Sequence, residues 1–201
     1  MKQKQKALWV LVAVGWMAVQ GVPPVWAKAM KETTPTFLEF HGKARDLPVV
    51  FEYPKSWKPE EEKGTIEKYQ LVRLMGPRNP EDTYSSYISI VGSPVKKKGG
   101  KFDNLSEIVE NYKAYQLAGA HLDDEKVTVL GGLGAVDLTV TSVIPPLFQK
   151  GLRALEIPVR TRTLFTQKGG MLYQITYSAD LRLYDEHVKD FNRLLETLQF
   201  E

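Results

Sequence analysis

Strand signals come in runs along this chain, and that pattern limits the fold more than any other feature. Phe37–Phe40, Val49–Tyr53, Tyr69–Met75 and Tyr84–Val91 are short β-rich segments with no helical stretch between them. Val127–Leu130, Ala135–Ile144, Val159–Thr166 and Met171–Ser178 form a second run. Parallel strands need long, usually helical crossovers, so consecutive strands predict a mostly antiparallel sheet. The boundaries carry turn chemistry. Pro54 stops one strand because it cannot donate to a ladder. Lys58 to Lys63 reads as a charged turn around Pro59, and Gly76-Pro77-Arg78-Asn79-Pro80 as a loop. Gly92-Ser93-Pro94 closes a strand, and Gln167-Lys168-Gly169-Gly170 marks a hairpin.

Two segments have helical spacing instead. After the solvated run Lys96-Lys97-Lys98-Gly99-Gly100, Asp103 or Asn104 caps a helix whose stripe is Leu105, Ile108, Val109, Tyr112 and Leu117. Gly119 ends it. Near the C-terminus, Asp180 is placed to cap a helix with Tyr184, Val188, Phe191, Leu195 and Leu198 on one side. Such stripes need an apolar surface to dock on, and the sheet supplies it. The expected fold class is α/β (α+β), an antiparallel β-sheet flanked by helices. Residues 37–201 read as a single domain and 30–36 as a flexible lead-in.

Residues 1–29 have the layout of a secretory signal peptide. Lys2, Lys4 and Lys6 precede an apolar stretch from Ala7 to Val19, then Pro23-Pro24 and small residues at Ala27 and Ala29. A spanning helix needs roughly 20 apolar residues, so the stretch is short for an anchor. Cleavage after Ala27 or after Ala29 fits, the second matching the small-x-small pattern better. The chain has no cysteine, which rules out lipoprotein acylation, disulfides, thiol nucleophiles and cysteine metal sites. It carries 27 Lys+Arg against 24 Asp+Glu, and loss of the three leading lysines brings the remainder to balance. A near-neutral domain has no long-range pull on nucleic acid and at most a weak contact with a membrane surface. The expected location is periplasmic or secreted, with no transmembrane segment after signal removal.

No catalytic constellation is visible. His41, His121 and His187 lie in no H-x-x-x-H or H-E-x-x-H pattern, and no serine sits in a Gly-x-Ser-x-Gly elbow. His121-Leu122-Asp123-Asp124-Glu125 has metal-ligand chemistry, but turn and helix-terminus preferences account for its composition. Asp185-Glu186-His187 opens the last helix, where acids complement the dipole. The expected catalytic, cofactor and metal residues are none. Two features stand out as partner contacts. Between two strands, residues 145–158 carry Leu147, Phe148, Leu152, Leu155 and Ile157, an apolar set that forms a docking patch if exposed. Arg160 and Arg162 share one face of the following strand, where guanidinium groups suit an anionic partner.

The order of these elements, with Phe51-x-Tyr53-Pro54-x-x-Trp57 early and a Gly-turned hairpin late, resembles the PsbP-like family. That hairpin runs from Met171 through Ala179 into a last helix closing on Leu198-Gln199-Phe200. The family comprises the extrinsic photosystem II subunit and its bacterial relatives, and the resemblance extends to the DcrB-like periplasmic proteins. It implies an α/β/α sandwich and a non-enzymatic accessory role, docking on or stabilising a larger protein complex. The expected partner is another envelope protein or complex. Some family members are associated with metal ions, but no ligand set maps onto positions here. The alternative is a periplasmic carrier or sensor of a small ligand, lipid or metal ion.

Overall fold

The computed structural model describes residues 36–42, 47–63, 69–145 and 156–201, so the expected signal peptide and nearly all of the lead-in lie outside the described residues. The first strands follow the sequence closely. β1 (Phe37–His41) pairs antiparallel with β2 (Val49–Pro54), and Pro54 is the last residue of its strand. β3 (Lys58–Lys63), β4 (Gln70–Arg78) and β5 (Ser85–Pro94) form an antiparallel meander. A single 3-10 turn at Lys96–Lys98 leads to α1 (Leu105–Gln116). Then come β6 (His121–Leu130), β7 (Leu133–Ile144), β8 (Ile157–Lys168) and β9 (Met171–Asp180), all antiparallel neighbours. α2 (Tyr184–Thr197) and β10 (Gln199–Phe200) end the chain.

The strands divide into two antiparallel sheets, where the strand pattern led us to expect one. The small sheet has the order β1-β2-β10 and the large one β3-β4-β5-β9-β8-β7-β6. α1 covers one face of the large sheet, packing Ile108 and Val109 with Leu138, Phe165 and Leu172. α2 and the small sheet cover the other face. Phe191 and Leu194 join Phe51, Ile88, Ile90, Ile175 and Tyr177 in the main core there. The architecture is α+β, helix on sheet on helix, with the small sheet sharing the α2 layer.

Several boundaries differ from expectation for identifiable reasons. The charged turn at Lys58–Lys63 is edge strand β3, since an edge position tolerates both Pro59 and a row of glutamates. β4 runs on through Gly76-Pro77 by way of a register shift between Met75 and Arg78. β6 starts at His121, so the acidic segment is strand and not turn. Asp180 does not cap α2. It ends β9, and Leu183 at the helix entry makes no side-chain cap. Asn104, not Asp103, caps α1: Asn104 Oδ1 accepts the Glu107 N–H (3.0 Å), while the Glu107 carboxylate accepts the Asp103 N–H (2.6 Å). The β8–β9 turn places Gly169 and Gly170 at φ 58° and 83°, the left-handed pair that a two-residue hairpin turn requires.

Candidate functional site

Strand alternation sends Arg160 and Arg162 of β8 to the large-sheet face that α2 shares, as their two-residue spacing predicts. Arg162 forks onto Asp137 of β7, donating from Nε to Oδ1 at 3.0 Å and from Nη2 to Oδ2 at 2.7 Å. Its Nη1 donates to Asn192 Oδ1 of α2 at 2.9 Å. The Asp137 side chain is 2% exposed, and the bond to it raises the Arg162 pKa above its ordinary value. A buried carboxylate needs such a partner. Arg162 thus fastens β7, β8 and α2, and its guanidinium also lies 5.7 Å over the Phe191 ring.

Arg160 is more accessible. It lies 5.5 Å over the Tyr184 ring, and its Nε is 3.3 Å from an Asp123 carboxylate oxygen. Burial works to raise the Asp123 pKa, but hydrogen bonds from Thr141 and His121, with the Arg160 charge, hold it below the usual range. The acidic segment splits between partners. Asp123 faces His121 and Thr141, Asp124 faces Lys126, and Glu125 reaches Lys113 of α1 at 2.6 Å. Among the described residues, no three His, Asp or Glu side chains gather as a metal site. His41 pairs with Glu39, and His187 with Glu186 and Asp190.

Leu147, Phe148, Leu152 and Leu155 lie outside the described residues. The flanking positions are clear: Ile144 pairs with Ile157, the last rung of the β7–β8 ladder. Where the chain re-enters, Glu156, Ile157 and Pro158 line a hollow of about 330 Å³ with Asn79, Glu81, Thr83 and Arg182. A clasp lies beside it. Asp180, fully buried, accepts from Arg182 Nη2 at 2.7 Å and Asn79 Nδ2 at 3.1 Å. The Arg182 bond leads the effects that pull the Asp180 pKa down to about 2. Arg182 also donates to Glu81 at 2.6 Å.

The opposite face holds a feature that the apolar periodicities overlooked. α1 covers only part of that face, leaving a groove beside Tyr112 and Gln116. One section, about 170 Å³, is lined by Tyr87, Ser89, Ser142, Thr161, Gln174 and Thr176 with these two. A second, about 290 Å³, shares Tyr112, Gln116 and Gln174 and continues to Lys101, Phe102, Asn111 and Tyr115. Hydroxyls link across the strands. Tyr112 bonds Thr163 at 3.1 Å, Thr163 bonds Thr176 at 3.2 Å, and Ser178 bonds both Tyr84 at 2.7 Å and Thr161 at 2.8 Å. Burial pushes the Tyr84 phenol up to about 12, keeping it neutral. The 170 Å³ section carries no ionisable acid or base other than tyrosine, so it suits uncharged polar groups. The signal was there: Gln174, Thr176 and Ser178 alternate with the core residues Tyr173, Ile175 and Tyr177.

No protein-family model matches the sequence, and no curated protein does. Solved structures match the fold. The solution structure of cyanobacterial PsbP from Synechocystis aligns at TM-score 0.52 and 13% identity, over 94% of this chain and 99% of that one. The crystal structure of LpqN, involved in cell envelope biogenesis of Mycobacterium tuberculosis, aligns at TM-score 0.51 and 14% identity, over 83% and 91%. The chain has the PsbP-like fold.

Proposed function

We propose that this is an exported, non-enzymatic accessory protein that docks on an envelope protein or protein complex. The contact uses Arg160, on the strand face it shares with Arg162, together with Leu147, Phe148, Leu152 and Leu155. The observation that carries this reading is the placement of Arg160. It is partly exposed on β8, three residues beyond the Ile144–Ile157 rung from which the apolar segment departs. An apolar segment that runs in sequence into a strand carrying two arginines has the composition of a docking surface with a polar rim. The likeness to cyanobacterial PsbP and to an envelope-biogenesis protein supports the reading at the level of fold. No helix among the described residues is long and apolar enough to cross a membrane.

Cross-linked capture from the envelope fraction tests the assignment. Removing residues 147–155, or replacing Arg160 with Glu, is expected to abolish capture while the circular-dichroism spectrum stays unchanged. Capture that persists in both variants would overturn the docking surface. Export is tested separately by N-terminal sequencing of the protein from its host, with Lys28 or Met30 expected as the first residue.

The groove beside α1 favours a second reading, carriage or sensing of a small uncharged polar ligand. In its 170 Å³ section the lining of hydroxyls and amides offers donors and acceptors without a fixed charge. Native mass spectrometry of protein from its own host should then show a non-protein adduct that Gln174→Leu removes. A clean apo mass would exclude tight binding.

A further inference from the structure

The large sheet has two edges, and they are built differently. β3 carries Pro59 and the exposed Glu60 and Glu61, residues that discourage strand addition. β6 concentrates such protection in its first half, with Lys126 the one charge beyond it. There a register shift between Leu122 and Asp124 and the acids Asp123, Asp124 and Glu125 blunt the edge. Its second half, Lys126-Val127-Thr128-Val129-Leu130, pairs in continuous register with β7 and, among the described residues, on that side only. No proline or shift interrupts it. Val127 is 86% exposed and Val129 70%. Both point to the α1 side, since Val127 lies opposite Val136, which packs with the α1 cluster. Beside them is a groove of about 510 Å³, lined by Leu105, Val109, Val127 and Val136 and rimmed by charged residues of α1 and β6.

We infer that this half of β6 pairs antiparallel with the same strand of a second copy, joining two large sheets edge to edge about a two-fold axis at Thr128. Self-complementarity selects the occupant. With Thr128 opposite its own mate, Val127 meets Val129 of the other copy, and Val129 meets Val127. Directly opposed residues point to the same side, so four valines cover one another next to the two grooves. Charge selects the register. In this alignment Glu125 and Asp124 lie opposite Gly131 and Gly132 of the partner copy, which carry no charge. Sliding two residues one way places Glu125 against Val129, and sliding further brings the acids of both copies together. The contact is isologous and closes at two subunits.

Light scattering on purified protein over a rising concentration range tests this. The expected mass is twice that of the chain at high concentration, and Val129→Lys should return it twofold to the monomer. Val129 is exposed, so this variant keeps its fold, which circular dichroism checks. Val143→Lys, at an exposed valine of β7 away from the edge, should leave the dimer intact. The chain has no native cysteine, so single cysteines report the register. Thr128→Cys should form a covalent dimer with a short thiol-to-thiol cross-linker, and Asp124→Cys should not. A monomer at every concentration, or equal cross-linking from both positions, would overturn the inference.

Discussion

The indole of Trp57 lies against Gly76 so closely that a Cβ at Gly76 would sit 2.8 Å from its ring. Trp57 is buried between this point of β4 and His187 of α2, whose ring it meets edge-on at 6.3 Å. The turn after Pro54 delivers it there, with the Trp57 N–H donating to the Pro54 carbonyl at 2.9 Å. Gly76→Ala should therefore cost about 1–3 kcal/mol through overpacking. A lower urea midpoint at unchanged slope is the expected signature. Combining it with Trp57→Phe should recover part of the loss, because the smaller ring vacates the space. Full additivity of the two substitutions would contradict the contact.

Removing the Arg162 side chain takes the forked partner from buried Asp137 and leaves it the looser Lys126 ammonium, 3.7 Å away. Arg162→Ala is expected to cost about 3 kcal/mol, in the range for breaking a buried pair. Arg162→Lys should rescue little, since an ammonium cannot fork onto both carboxylate oxygens. Arg160→Ala, at a more exposed position, should cost under about 1 kcal/mol. Denaturation midpoints of the three variants compare these outcomes directly.

Acid should loosen the clasp at the end of β9. The Asp180 pKa falls from 3.8 to about 2 in the folded protein, mainly through the Arg182 hydrogen bond. A depressed carboxylate pKa contributes stability above the unfolded value, and that contribution is lost as pH falls through the folded one. Wild-type stability should therefore drop between about pH 4 and pH 2. Asp180→Asn should flatten that limb and cost about 1–3 kcal/mol at neutral pH. An unchanged acid limb in the variant would remove Asp180 from the account.

Ser86 offers the opposite sign. Its hydroxyl is buried on β5 and has no hydrogen-bond partner among the described residues. Ser86→Ala should leave stability unchanged or raise it by about 1 kcal/mol, because it deletes a desolvated polar atom. Thermal unfolding would show this as an equal or higher midpoint. A clear loss would mean that the hydroxyl does find a partner in solution.

Where local chemistry acts alone, structure was legible in the residues. The Gly169-Gly170 turn, the Asn104 cap region and the shared face of Arg160 and Arg162 need only neighbours in sequence. The α2 stripe was readable as well, although Leu194, fully buried, escaped the spacing Phe191 to Leu195. The misread boundaries share a cause. Lys58–Lys63 and His121–Glu125 look like turns because both are charged, yet edge strands keep one side in water and accept charge.

Periodicity and composition established an antiparallel α+β chain with no cysteine and no recognised catalytic motif. They did so because alternation, capping and turn preferences are properties of a few adjacent residues. Which strand lies at an edge, which arginine is consumed by a buried Asp137, and which polar residues line one groove depend on pairings between distant segments. Arg162 and Asp137 are twenty-five residues apart, and Asp180 and Asn79 are one hundred and one apart. No local preference encodes such contacts, so only the assembled sheets separate Arg162, held against Asp137 and Asn192, from the more accessible Arg160.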